Sequence, residues 1–253
     1  MLASSPDKMT HDLLLLQEAV QMENGTQVKS KKRVADHGEV FTAEREVNAM
    51  LDLVKQETER IESRFLEPAC GDGNFLAEIL RRKLAVVKKQ YGKNPYEYEK
   101  YAVVAVSSIY GVELLADNVQ ECRARLFNIW DQEYLANCMK IVSEECRDAV
   151  RFILKRNILC GNALDLKDAS GNPILFSEWT LKNGTNLERK DYRLDVLLEE
   201  HPNAGIVSTQ LALFAEDAST YDNWMLDEET NTVIPRPVKV FPVVDYREVQ
   251  QYE

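Results

Sequence analysis

The chain has 253 residues, 45% of them apolar, and carries a net charge of −11. That length suits one large domain, or one domain with appendages, and the apolar content suffices for a packed core. No apolar run approaches the roughly 20 residues that span a bilayer, Met1 to Asp12 lack the basic-then-apolar order of a signal peptide, and the charge has the wrong sign for a free-standing binder of nucleic-acid phosphates.

Residues 1–35 are polar and read as a helix followed by a flexible basic arm, Lys29-Ser30-Lys31-Lys32-Arg33. Residues 43–62 read as one helix, with Val47, Met50, Leu51 and Val54 at three- and four-residue spacing. Arg64 to Pro68 is a short strand ending in a glycine turn, and Asn74 to Gln90 a helix with Phe75, Leu76, Ile79, Leu80 and Leu84 inward. On that helix, Arg81-Arg82-Lys83 and Lys88-Lys89 read as a solvated face, with contact to phosphates as the alternative. Tyr91 to Tyr96 is a loop. Ile109 to Leu114 is a second strand, Asp117 to Trp130 and Tyr134 to Lys155 are helices, and Ile158 to Cys160 begins a third strand. Strands alternating with helices predict a parallel α/β sheet.

After Asp165 the composition changes. Residues 168–192 are rich in Gly, Asn and charge, and Leu194 to Pro235 hold nine acidic residues with no Lys or Arg. Pro235, Pro237 and Pro242 punctuate an extended tail. Its Leu211, Leu213, Phe214, Tyr221, Trp224, Phe241 and Tyr246 are too many apolar residues for a disordered acidic stretch, so the tail is expected to pack on the core or on a partner. Three segments follow: an N-terminal arm (1–35), a core (36–166) and the acidic tail (167–253). The cysteines, Cys70, Cys122, Cys138, Cys146 and Cys160, are odd in number and lack paired zinc-ligand spacing. They read as reduced thiols of a cytoplasmic protein.

The densest chemical signal is Phe65-Leu66-Glu67-Pro68-Ala69-Cys70-Gly71-Asp72-Gly73-Asn74-Phe75-Leu76. An apolar strand runs into a carboxylate, then a turn with two glycines, then a helix. Glycine permits unusual dihedrals and close backbone approach to a ligand, and the helix start offers free N–H groups. A second strand ends in Tyr110-Gly111-Val112-Glu113-Leu114, where an acid can accept two ribose hydroxyls. A third leads into Cys160-Gly161-Asn162-Ala163-Leu164-Asp165. Upstream, His37-Gly38-Glu39-Val40-Phe41-Thr42-Ala43 precedes a helix that Thr42 is placed to cap, with Glu44 and Glu46 near its positive end.

The glycine string resembles the S-adenosylmethionine (SAM) motif of amino-methyltransferases acting on DNA, which reads Asp-Pro-Ala-Cys-Gly-Ser-Gly-x-Phe-Leu; here Glu67 stands for the Asp and Asp72 for the Ser. The segment at Phe41 and Thr42 is similar to the closing motif Gly-x-Phe-x-Thr-Pro, with Ala43 for the proline and one residue shifted. The order of motifs is similar to that of gamma-class DNA adenine-N6 methyltransferases of restriction–modification systems, over roughly residues 36–166. The resemblance implies a Rossmann-like class I SAM-dependent methyltransferase core, with an N-terminal helical segment and an acidic extended C-terminal tail. It implies SAM contacts at Phe41, Thr42, Glu67, Ala69, Gly71, Gly73, Phe75, Glu113, Asn162 and Ala163. Glu67 would face the methionine ammonium, Glu113 the ribose and Asn162, with Asp165 as the nearby alternative, the adenine amino group. Valine at position 73 is expected to abolish binding and spare the fold.

The family's Asn/Asp-Pro-Pro-Tyr/Phe motif, which orients the target amino group of a base flipped from the duplex, is missing. Asn172-Pro173-Ile174 lacks the second proline and the aromatic, and Asn94-Pro95-Tyr96 lies before the ribose strand. No catalytic residue is assigned. The expectation is a SAM-binding subunit of a split enzyme, with a second methyltransferase subunit supplying catalytic and target-recognition regions, DNA bound through the complex, and no membrane. A non-catalytic SAM sensor, or a methyltransferase for RNA or a small molecule, are the alternatives.

Overall fold

The computed structural model describes residues 29–37, 40, 42–199, 223–227 and 232–253. Two compact units divide between Lys55 and Gln56. The first holds α1 (Lys31–His37), with a Lys32–Asp36 ion pair one turn apart, and α2 (Glu44–Asp52), which buries Val47 and Leu51. Glu44 and Glu46 occupy the first turn of α2, but the capping position is Ala43 rather than Thr42, and no side chain caps it. The single helix expected over 43–62 is broken. After α2 only one further turn forms, α3 (Lys55–Thr58). Lys55 to Arg60 offer no apolar residue at helical spacing, so nothing pulls a longer helix onto a core.

The second unit is built on a parallel sheet of β1 (Phe65–Glu67), β2 (Ile109–Glu113) and β3 (Ile158–Asn162), in that spatial order, with the two-residue β4 (Lys167–Asp168) antiparallel on the far edge of β3. Helices α4 (Asn74–Tyr91) and α5 (Pro95–Ser107) connect β1 to β2, and α6 (Ala116–Cys138) and α7 (Glu144–Asn157) connect β2 to β3. The mixed α/β architecture with a parallel sheet is therefore as the alternation predicts. No helix among the described residues is long and apolar enough to cross a membrane.

Ile109 to Val112 of β2 are all buried, as befits a central strand covered on both faces. Gly111 faces α4: a Cβ there would stand 3.0 Å from Leu76 Cδ1. Tyr110 and Val112 face the other way, into a cluster with Ile174, Phe176 and Leu194. Tyr110 meets the Phe176 ring edge-on at 5.3 Å, and its hydroxyl donates to the Ser177 carbonyl at 3.0 Å.

That second layer corrects the reading of 167–253 as an extended tail. Leu175–Leu181 (β5) and Asn186–Arg193 (β6) form a long antiparallel hairpin, turned at Gly184 with φ +69°, and Leu194–Leu198 (α8) follows. Polar residues hid the strand alternation. Arg189 and Asp191 point inward, paired at 2.8 Å, with Ser177 donating to Asp191 at 2.6 Å and the Arg189 guanidinium 3.8 Å above the Phe241 ring. Trp224–Asp227 (β7) and Thr232–Pro235 (β8) make a second hairpin. Lys239–Val240 (β9) and Val244–Asp245 (β10) pair with β6, and a 3-10 helix (Tyr246–Gln251) packs on α7. Phe241 and Tyr246 are buried, as residues that pack; Leu211, Leu213, Phe214 and Tyr221 lie outside the described residues.

Other boundaries moved. Asn94 caps α5, accepting from the N–H groups of Tyr96 and Glu97, and Pro95 fills the first helical position, so a helix stands where a loop was expected to run on. The two helices expected over 117–155 break after Cys138, with Ser143 capping α7, rather than near Asp131. The basic face of α4 is not uniformly solvated. Arg82 pairs with Glu78 at 3.1 Å and Lys88 with Glu133 at 3.3 Å. Lys83 is fully buried, donating to the Ile61 carbonyl at 2.9 Å, to the Ser63 carbonyl and to Ser108 Oγ at 2.6 Å.

Glu99 of α5 is also fully buried and accepts from Tyr134 Oη (2.7 Å), Tyr246 Oη (2.6 Å) and Arg247 Nε (2.7 Å). Replacing it with alanine removes the acceptor of both tyrosine hydroxyls and of Arg247, although Tyr134 Oη still accepts the Ser143 N–H at 3.1 Å; each buried group left unsatisfied costs about 1–3 kcal/mol. Urea titration of Glu99→Ala should show a loss of roughly 3 kcal/mol or more, and Glu99→Gln, which keeps an acceptor, a smaller one. Equal stability of Glu99→Ala and the wild type would mean that the network does not hold the C-terminal segment.

Lys83 makes a pH-dependent contribution. Burial draws its pKa down to about 7; the Arg60 charge adds to this, while Glu57 and Glu62 oppose it. An unfolded lysine titrates near 10.4. Between about pH 7 and 10 the unfolded chain therefore holds more protons than the folded one, and this group's contribution to stability rises with pH. Compared with Lys83→Met, the wild type should gain stability steadily over that window in chemical-denaturation curves. A difference that does not change with pH would place the Lys83 pKa at its ordinary value.

Candidate functional site

Glu67, Glu113 and Asn162 are the last residues of β1, β2 and β3. Parallel register places Glu67 opposite Gly111, and Glu113 opposite Cys160. The three expected contact residues therefore lie along one edge of the sheet, the carboxyl ends of its strands, where open α/β sheets bind ligands.

The turn after β1 is shaped by its glycines. Gly71 and Gly73 have φ of +54° and +93°, both left-handed, and Gly73 is the capping residue of α4. The Cys70 N–H donates to the Val112 carbonyl at 3.0 Å, and the Gly73 N–H to the Cys70 carbonyl at 2.8 Å. A Cβ on Gly73 would stand 2.6 Å from Cys122 Sγ, and one on Gly111 2.8 Å from Cys70 Sγ. The loop is thus pressed against α6 and β2 by backbone that tolerates no side chain.

Glu113 does more than wait for a ligand. Its Oε2 accepts the Gly71 N–H at 3.0 Å and its Oε1 the Leu115 N–H at 2.9 Å, so the carboxylate fastens the glycine loop to the end of β2. Asn118 Nδ2 also donates to Oε1, at 3.5 Å; of the roughly four lone-pair sites of a carboxylate, about one is left for a further donor. Asn162 Oδ1 accepts the Leu164 N–H at 2.9 Å, closing a turn after β3. Glu67 is half-buried; burial raises its pKa, against a hydrogen bond from the Ala69 N–H. The Cys70 thiol is pushed well up by its contact with the Cys122 thiol, by burial and by the Glu113 and Glu67 carboxylates, so it stays protonated.

The remaining expected residues are dispersed. Ala69 is exposed and Phe75 half-buried at the start of α4. Ala163 packs against the cluster of Tyr110, Val112 and Ile174 rather than lying open at the edge. Asp165 Oδ1 accepts the Lys167 N–H at 3.1 Å in the next turn. Thr42 belongs to the first unit, and Phe41 lies outside the described residues.

Sequence reasoning missed three features. Leu114 and Leu164, 55% and 95% exposed, put apolar side chains beside Glu113 and Asn162, where a flat ring could lie against them. Each is simply the apolar residue just beyond a strand-end polar one, a signal indistinguishable from core in the sequence. The third is Arg125 of α6, which donates to Asp72 Oδ2 at 2.8 Å and to Asn74 Oδ1 at 2.6 Å. Both asparagine–proline pairs have structural duties. Asn94 caps α5, and the Asn172 N–H donates to Asp168 Oδ1 at 2.9 Å in a tight turn that leads straight into β5.

The expectation that valine at 73 would spare the fold needs correcting, because φ and the Cys122 contact both forbid a side chain there. Even Gly73→Ala should destabilise the unliganded protein by about 1–3 kcal/mol. Thermal melting should show part of that loss recovered in Gly73→Ala/Cys122→Ala, which removes the clash but not the dihedral strain. A Gly73→Ala protein as stable as the wild type would contradict this geometry.

Comparison of the chain with protein-family models, with curated proteins and with solved structures returns no match.

Proposed function

We propose that this chain is the SAM-binding subunit of a split DNA adenine-N6 methyltransferase of the restriction–modification type, built on a Rossmann-like class I core. The observation that carries the reading is the convergence of the glycine loop, Glu113 and Asn162 on one edge of three adjacent parallel strands. Glu67 would hold the methionine ammonium, the Gly71–Gly73 backbone the methionine end, Glu113 the ribose and Asn162 the adenine amino group. When bound, SAM supplies an electrophilic methyl group. The residues of this chain bind and orient it, and the methyl acceptor must be oriented by other groups.

Those groups are assigned to a second polypeptide. Among the described residues β1 pairs only with β2. The Phe65 N–H donates across to the Ser108 carbonyl at 3.0 Å, so Leu66 turns its own N–H and C=O outward. An apolar groove of about 500 Å³ runs beside this edge, lined by Phe65, Leu66, Tyr110, Phe176, Leu194 and Leu197 among others. An open edge over an apolar floor is a template for an added strand. The structural duties of Asn94 and Asn172 also suit a SAM sensor without chemistry, and a partner experiment separates the two.

Calorimetry should show the isolated chain binding SAM and S-adenosylhomocysteine. Glu113→Ala should weaken both at least about tenfold, since it removes charge-assisted hydrogen bonds worth roughly 1.5–3 kcal/mol each. Labelled methyl should not pass to DNA with the chain alone, and should pass once the product of the adjacent gene is added. Transfer by the chain alone would end the split-enzyme reading. Cofactor binding with no neighbour able to bind the chain or restore transfer would favour the sensor.

A further inference from the structure

We propose that Arg125 is the positioning residue of the glycine loop, holding Asp72 and the start of α4 in the conformation that receives the ligand. The proposal rests on the adenosyl-ligand reading above. It concerns the one place in the loop where the chain carries an extra charge, Asp72 between the two left-handed glycines.

The geometry is specific. Arg125 sits on α6, one turn beyond Cys122, whose sulfur presses on Gly73. Its Nη2 donates to Asp72 Oδ2 at 2.8 Å and its Nη1 to Asn74 Oδ1 at 2.6 Å, so one planar guanidinium spans the loop and the first residue of the helix. The Asp72 side chain is 15% exposed and that of Arg125 37%. The carboxylate is therefore largely withdrawn from water, and a lost partner would not be replaced by full hydration. Two further carboxylates flank the same loop: Glu113 accepts the Gly71 N–H, and Glu67 ends β1. Without Arg125, Asp72 would lose the guanidinium that faces its Oδ2 and would stand as a third carboxylate beside them. It would relieve the repulsion by turning out to water, carrying Gly71 and Gly73 with it. Glycines at positive φ resist such a movement little, because their freedom is not limited by a side chain. The loop's shape is thus set from outside, by the guanidinium on α6, and a fork of fixed geometry does this where a lysine ammonium would not.

The test is a double-mutant cycle on the full chain with four proteins: wild type, Arg125→Met, Asp72→Ser and Arg125→Met/Asp72→Ser. Two readouts are used. One is calorimetric affinity for S-adenosylhomocysteine. The other is hydrogen exchange of the Gly71 to Asn74 amides without ligand, which does not depend on what the site binds. Arg125→Met should lose affinity by about tenfold or more, the scale of one charge-assisted contact. Its loop amides should exchange faster by a similar factor, while amides of β2 stay as protected as in the wild type. The double variant, with no buried carboxylate left to neutralise, should return to within a few-fold of Asp72→Ser on both readouts. A purely structural role for Arg125 would lower protection throughout and show no rescue by Asp72→Ser, and that result overturns the proposal. So does an Arg125→Met protein with wild-type affinity and exchange. If the wild type binds no adenosyl ligand but the exchange cycle behaves as described, the functional reading fails and the loop assignment stands.

Discussion

The arrangement of the sheet depends on a lysine held inside the protein. Lys83 reaches from α4 to three oxygens on two other segments: the carbonyls of Ile61 and Ser63, just before β1, and the hydroxyl of Ser108, just before β2. One side-chain nitrogen thereby joins the entry of one strand, the entry of its neighbour and the helix between them. Ser108 Oγ also donates to the Ile61 carbonyl at 3.2 Å, which closes the network. If the entries of β1 and β2 are fixed at one end, their exits at the other end are fixed too. Glu67, the glycine loop and Glu113 leave from those exits. The Lys83 network at the bottom of the sheet and the candidate site at the top lie at opposite ends of the same two strands.

A similar logic of internal charge recurs through the second layer. Asp191 is shared by Arg189 and Arg156, the latter at 3.1 Å, and Arg189 Nη1 donates to the Tyr252 carbonyl at 2.8 Å. Buried ion pairs contribute little net stability, because desolvation offsets attraction, but removing one partner costs a great deal. Such networks therefore select one arrangement over others more than they deepen it. Here they lie on the face of the β5–β6 hairpin that also buries Trp179 and Leu187.

Legibility from the sequence followed local physics. The glycine loop, the start of α4 and the ends of β2 and β3 were readable because turn chemistry and strand-end polarity are short-range properties. Alternation of strands and helices was enough for the parallel sheet. The hairpin at 175–193 was not readable: Glu188, Arg189, Lys190 and Asp191 form a run of charge that resembles surface, and only long-range partners such as Phe241 and Arg156 make two of the four interior. Lys83 was misread for the same reason, as one cation in a row of them. Of the candidate site, residue positions along the strand ends could be located from the resemblance, whereas the engagement of Glu113 with Gly71 and of Arg125 with Asp72 depended on neighbours that the sequence does not place together.

The closure of the C-terminal segment over Glu99 has a consequence for the order of events during synthesis. Tyr246 and Glu99 are separated by 147 positions in the chain. A nascent polypeptide that has emerged through α7 already has Glu99 and Tyr134 in an apolar layer, yet lacks the hydroxyl and guanidinium that complete it. Contacts of such long range slow folding, since loop closure must precede them. The parallel sheet pairs strands about 45 residues apart, all of them present once β3 has emerged, while the interior beneath α5 and α7 lacks Tyr246 and Arg247 until the end of the chain arrives. Until then the buried carboxylate of Glu99 lacks two of its three donors.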